Sequence, residues 1–167
     1  YALLQKAGKK ADAEAFAKRW FTDNPKDPAL RLYLAEQDMR ARNLKGAAAN
    51  YQAVIAVQPD QVVALNNLAW VAGELGDPKA IGYAERAVQL APNSGAVLDT
   101  YGMLLVKKGD VDKGVEVLGR AVRAAPNRPE IRLNYARALV KQGRKDDARR
   151  ELQALQESKA DFPGKAE

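Results

Sequence analysis

The eleven residues Pro92-Asn93-Ser94-Gly95-Ala96-Val97-Leu98-Asp99-Thr100-Tyr101-Gly102 decide how the whole chain is read. Nine places after the proline comes a large side chain, Tyr101, followed at once by a small one, Gly102. The same step leads from Pro25 to Leu34-Ala35, from Pro59 to Leu68-Ala69 and from Pro126 to Tyr135-Ala136. The four prolines stand 34, 33 and 34 residues apart. Twelve places before each proline lies Ala13, Ala47, Ala80 or Gly114, and Ala148 continues the phase. Self-similarity at such a period marks an array of supersecondary units, none of which can bury its apolar face alone.

Each unit reads as two helices. Leu30 and Leu34, then Ala47, Tyr51, Val54 and Ile55, recur at helical rather than alternating spacing. Gly8, Asn43, Gly76-Asp77, Gly109-Asp110 and Gly143 fall between the helices, where Gly or Asn can take the left-handed conformation that ends a helix. Pro78 suits a first helical turn, where its missing N–H costs nothing. The prolines of the lattice stop the second helix of each pair. Small residues mark the close crossings, since a large side chain there would hold the axes apart. The spacing predicts a helical remnant at 1–7 and a helix at 10–23. Helix pairs follow at 28–41 with 44–57, 61–74 with 78–90, 94–107 with 111–124 and 128–141 with 145–158. The 33-residue step puts a one-residue deletion near Gly76-Asp77-Pro78, and no segment reads as a strand.

These residues resemble the tetratricopeptide repeat, a 34-residue helix–turn–helix unit with a Leu-Gly pair, a later Ala and a closing Pro. Leu34-Ala35, Leu68-Ala69, Tyr101-Gly102 and Tyr135-Ala136 match the pair; Ala47, Ala80, Gly114 and Ala148 match the Ala; Pro59, Pro92 and Pro126 match the Pro. The early Trp of that pattern is replaced by Arg31, Leu65, Leu98 and Arg132, and its Tyr by Asp38, Ala72, Leu105 and Leu139. The resemblance implies an all-α, right-handed superhelical solenoid of antiparallel helix pairs. Its array runs over 1–160, with a partial repeat 1–25 and repeats 26–59, 60–92, 93–126 and 127–160, before a tail at 161–167. A narrower resemblance rests on Ala64-Leu65-Asn66-Asn67-Leu68-Ala69-Trp70, Gly76-Asp77-Pro78 and Tyr83-Ala84-Glu85-Arg86-Ala87, with Leu98-Asp99-Thr100-Tyr101-Gly102 and Ala148-Arg149-Arg150-Glu151-Leu152. These stretches are similar to the C-terminal repeats of bacterial tetratricopeptide lipoproteins that accompany exosortase (PEP-CTERM) sorting and exopolysaccharide export. That similarity implies a parent in the bacterial envelope, in periplasm or at the outer membrane, held by a lipid anchor; the cytoplasm is the alternative.

Composition narrows the chemistry. The chain has 167 residues, 47% hydrophobic and 29% charged, with a mean hydropathy of -0.43. That suits a folded chain with a core rather than a disordered one. Cysteine and histidine are both absent, which removes thiol nucleophiles, disulfides, Cys/His zinc sites and Ser-His triads. Asp110 and Asp112, or Asp146 and Asp147, pair carboxylates only at helix starts, where the helix dipole favours them. Gly73, Gly76 and Gly109 are scattered through turns and packed faces rather than gathered in a phosphate loop. No catalytic residue, metal ligand or cofactor is therefore assigned. The net charge of +6 lies wholly between Lys107 and Lys159, which hold 14 Lys/Arg against 8 Asp/Glu. Acidic residues are interleaved there and Tyr135 is nearly the only aromatic, so nucleic acid is not expected as a partner. No apolar run approaches the roughly 18 residues of a membrane span. The chain opens at Tyr1-Ala2-Leu3-Leu4 inside a helical pattern and without Met, as a piece of a longer protein would.

In this architecture the first helix of each pair lines the inner wall, and the lattice phase names its side chains. They are Leu32, Tyr33, Glu36 and Arg40; Asn66, Asn67, Trp70 and Glu74; Asp99, Thr100, Met103 and Lys107; and Asn134, Arg137 and Lys141. Amides there can pair with the backbone of an extended peptide and Trp70 can anchor an apolar side chain, although Trp70 could equally be buried against a neighbouring helix. Tyr101 and Tyr135 read as core. The carboxylate clamp of chaperone adaptors is not matched, because its positions hold Leu32 and Glu36, then Asn67, then Ala96 and Thr100. The expected occupant of the groove is a protein or peptide. A purely structural segment, or an anionic polymer held by the basic C-terminal third through Lys107, Arg137 and Lys141, stands beside it. At the ends, helix 145–158 carries a narrow stripe of Ala148, Leu152 and Leu155 under a polar coat, as a terminal cap should. Helix 10–23 shows Phe16, Trp20 and Phe21 with Ala11, Ala13, Ala15 and Ala17, an apolar surface open to a further repeat or to a dimer partner.

Overall fold

At each of the four lattice prolines the chain makes the same turn. The residue before the proline accepts a hydrogen bond through its carbonyl from the N–H three places on: Asp27 to Asn24 at 3.2 Å, and Gln61 to Gln58, Ser94 to Ala91 and Arg128 to Ala125 at 3.1 Å. Proline is pre-set for the second position of such a turn, and it offers no N–H that could prolong the helix before it. The sequence period is thus one recurring junction.

The computed structural model describes residues 1–157. Among them lie ten helices and no strand: α1 (Ala2–Lys6), α2 (Lys10–Asp23), α3 (Ala29–Arg40), α4 (Leu44–Val57), α5 (Val62–Leu75), α6 (Ala80–Leu90), α7 (Gly95–Lys108), α8 (Val111–Ala124), α9 (Pro129–Lys141) and α10 (Lys145–Glu157). The predicted boundaries agree to within about two residues, the usual uncertainty of a helix end. No described helix is long and apolar enough to cross a membrane. The expected tail at 161–167 lies outside the described residues.

The chain divides into two compact units after Gln61, next to the junction at Pro59. In the first unit, α1 pairs with α2 and α3 with α4. In the second, α5–α6, α7–α8 and α9–α10 are hairpins, and each packs on the next through α6–α7 and α8–α9. The helices α5, α7 and α9 also touch one another in sequence, making one wall of this unit. Its core gathers Ala69, Leu98, Tyr101, Leu104, Leu105, Val117, Ala121 and Ile131, with a second cluster around Val106, Leu118 and Leu139.

The lattice positions are where the helices meet. Ala13, Ala35, Ala47, Ala69, Ala80, Ala136 and Ala148 are all buried. At the α7–α8 crossing even alanine is too large. A Cβ on Gly102 would lie 2.7 Å from Leu118 Cγ, and one on Gly114 would lie 3.0 Å from the Gly102 carbonyl oxygen. Tyr101 is core as expected, and its hydroxyl donates to Glu85 at 3.2 Å. Tyr135 is only half-buried, lying along Gly119.

Several expectations are corrected. Gly8, Gly76, Gly109 and Gly143 do take positive φ, but Asn43 does not; Arg42 before it does, at +58°. Asn43 serves instead as the N-cap of α4, accepting from the Gly46 N–H at 3.2 Å. Pro78 lies in the turn ahead of α6, whose first helical residue is Ala80. There Asp77 accepts from the Lys79 N–H at 2.8 Å, and Asp27 does the same for Ala29 beside Pro28. In α10, Ala148 and Leu155 are buried but Leu152 is 38% exposed, so the stripe of the cap is narrower than its sequence suggests. In α2, Trp20 and Phe21 are half-buried: Phe16 stacks on Trp20 with centroids 5.8 Å apart, and the Arg31 guanidinium sits 4.2 Å over the Phe21 ring. Ala13 and Ala17 are buried, while Phe16, Ala11 and Ala15 remain exposed.

Candidate functional site

The wall of α5, α7 and α9 contains a cleft of about 390 Å³ lined by Trp70, Glu74, Asp99, Thr100, Met103, Leu104, Val106, Lys107 and Asn134. Seven of these residues had been placed on the inner wall by phase alone, and the structure brings them together from three successive repeats. The helical period explains this: Trp70 and Glu74 on α5, and Asp99, Met103 and Lys107 on α7, recur every four residues and so share one face, with Thr100 next to Asp99. Trp70 is 40% exposed, so it faces the cleft rather than being sunk against its neighbour.

The polar side chains link one repeat to the next. Lys107 Nζ donates to the Gly73 carbonyl at 2.7 Å and to Glu74 Oε1 at 3.1 Å. Lys141 occupies the same place one repeat on and donates to the Val106 carbonyl at 2.8 Å. Gly73 and Val106 stand in the last turns of α5 and α7, where carbonyls lack helical partners and a cation is favoured by the dipole. These two lysines thus close helix ends, a role that sequence reading assigned to neither. Asn134 donates through Nδ2 to both carboxylate oxygens of Asp99, at 3.0 and 3.1 Å. Burial pushes the Asp99 carboxyl up to about 6; the Asn134 hydrogen bond and Arg128 pull it down, and Glu130 adds to the rise.

Other predicted residues lie outside the cleft. Asn66 and Asn67 are half-buried on α5, joined to each other at 3.4 Å. Arg137 is exposed on α9. Tyr33, Glu36 and Arg40 belong to α3 in the first unit, where Tyr33 makes an edge contact with Tyr1 at 5.9 Å between centroids. Leu104 and Val106 line the cleft although sequence reading placed neither there; their apolar character hid them among core positions. Several other basic side chains of the C-terminal third stand in ion pairs. Arg132 meets Glu151 at 2.7 Å, Arg144 and Arg150 meet Asp147, and Arg128 meets Glu130.

Residues 34–95 and 105–164 each match a family model described as tetratricopeptide repeat. The chain carries tetratricopeptide repeats. Solved structures agree on the fold of such repeats. MamA from Desulfovibrio magneticus RS-1, residues 41 to the end, is 17% identical over 93% of this chain and 89% of that one, with a TM-score of 0.78. YrrB, described as a tetratricopeptide-repeat protein with an unusual peptide-binding site, is 18% identical over 96% and 84%, with a TM-score of 0.74. A thermophilic repeat protein of Thermus thermophilus is 21% identical over 93% and 86%, with a TM-score of 0.71. No curated protein sequence matches the chain. The repeats fit the departures from the usual pattern too: Asp38, in the place of the family's Tyr, accepts amide hydrogens from Asn43 at 2.8 Å and Asn50 at 3.0 Å.

Proposed function

We propose that the chain is a non-catalytic scaffold whose α5–α7–α9 cleft holds a segment of another protein. The observation that carries this is Trp70: a large aromatic kept 40% exposed at a cleft, flanked by Met103 and Leu104 and ringed by polar groups. Aromatic anchors in pockets with a polar surround are the places where binding energy concentrates. YrrB, of the same fold, is described as having a peptide-binding site. The finer reading places the parent in the bacterial envelope, anchored by lipid and working with PEP-CTERM sorting or exopolysaccharide export. That part rests on sequence resemblance alone, in the stretches 64–70, 76–78, 83–87, 98–102 and 148–152. The exposed Phe16 on α2 is the surface through which a dimer would form.

A capture experiment tests the scaffold reading. The immobilised chain is expected to retain a protein from a lysate of its source, and Trp70→Ala is expected to release it. Retention that survives Trp70→Ala places binding elsewhere. Failure of both chains to retain anything favours a purely structural segment of a longer array.

A further inference from the structure

The cleft holds three charged groups, and they are not equivalent. Glu74 and Lys107 answer each other at 3.1 Å, and Lys107 is further tied to the Gly73 carbonyl. Among the described residues Asp99 has no such counter-ion in contact; its hydrogen-bond partner is the neutral amide of Asn134. One amide nitrogen serves both oxygens, whereas an ionised carboxylate offers about four acceptor positions. Asp99 therefore brings a negative charge and spare acceptors into a cleft that is otherwise apolar on the sides of Trp70, Met103 and Leu104.

We propose that the cleft receives a basic side chain, Lys or Arg, of the bound segment, with the Asp99 carboxylate opposite its charge and the Trp70 indole beside it. This rests on the cleft being the binding site. An ammonium or guanidinium is attracted to an indole face, more strongly once desolvated, and its aliphatic stem packs on apolar walls. The reluctance of Asp99 to ionise, pushed up to about 6 by burial, points the same way: the group whose charge is most costly gains most from a counter-ion. An acidic side chain would instead meet Asp99 and Glu74 while Lys107 is already engaged. Like charges brought together at an interface are disfavoured, so the charge of the partner is set.

The test begins with a random octapeptide library displayed on phage and selected on the chain. Enriched sequences are expected to share a Lys or Arg at one position with apolar neighbours. A synthetic winner is then titrated against a Trp20→Phe chain, in which Trp70 is the remaining indole and its emission reports the cleft. Replacing the basic residue of the peptide by norleucine, or Asp99 by Asn in the protein, is expected to weaken binding about ten-fold or more. Circular dichroism of Asp99→Asn confirms that its helices are intact. Winners that are neutral or acidic, or that bind Asp99→Asn as well as the parent, overturn the basic-segment assignment and leave the cleft standing as a binding site. A library that yields nothing dependent on Trp70 overturns both.

Discussion

Arg42 is, among the described residues, the non-glycine that takes a positive φ, at +58°. A Cβ in that region clashes with the backbone, and glycine relieves the strain at some entropic cost. Arg42→Gly is therefore expected to raise the free energy of unfolding by about 0.5–1 kcal/mol in urea titration. Sequence reading gave the left-handed role to Asn43 because Asn tolerates it, but Asn is equally suited to the N-cap. It can fill only one of two adjacent places, and the α4 N-cap uses its side-chain oxygen. Asp99 yields a pH prediction. Its folded value, about 6, lies above the usual 3.8, so between these values the native state keeps a proton that the unfolded chain has lost. Its contribution to stability is accordingly lost as pH rises through that window, by on the order of 2–3 kcal/mol. Comparing unfolding of the parent and Asp99→Asn from pH 3.5 to 7 should show that the gap moves in favour of Asn as pH rises; a gap that is flat or opposite in sign contradicts the assignment.

At the scale of the helix, glycines separate packing from propensity. Gly114 sits on the α7–α8 crossing, where an added methyl meets the Gly102 carbonyl and the Val106 N–H, backbone atoms that cannot step aside. Gly114→Ala is expected to cost about 1–3 kcal/mol despite the better helix propensity of alanine. Gly82 lies exposed in α6 with nothing near its absent Cβ. Gly82→Ala is expected to stabilise by up to about 1 kcal/mol, read in the same urea titrations. Helix number, order and pairing were legible in the sequence because the proline junction and the small-residue crossings recur at one period. The exposure of Leu152 was not legible: it shares a helical face with Ala148 and Leu155, and the periodicity of one helix does not say which positions of that face a neighbouring helix covers.

For the molecule as a whole, what could be read ahead was the side of each repeat that faces inward. Trp70, Glu74, Asp99, Thr100, Met103, Lys107 and Asn134 were found by phase because one helix face presents one set of positions. What the phase could not show is which of these groups already hold one another. Lys107 and Lys141 reach back 34 and 35 residues to carbonyls of the preceding first helix, a partnership visible only once the hairpins are stacked. The inner wall thus has lysines that only bind the repeats together, an Asp99–Asn134 pair that also joins two repeats but keeps spare carboxylate acceptors, and the exposed Trp70 beside them in the cleft. This separation is the central claim for function. Its most direct test is chemical-shift mapping of the isotope-labelled chain with the library-selected peptide. The account predicts that amides around Trp70, Asp99, Met103 and Asn134 on α5, α7 and α9 shift on binding, and that Trp70→Ala abolishes the shifts. Shifts confined to α6, α8 and α10 would contradict it.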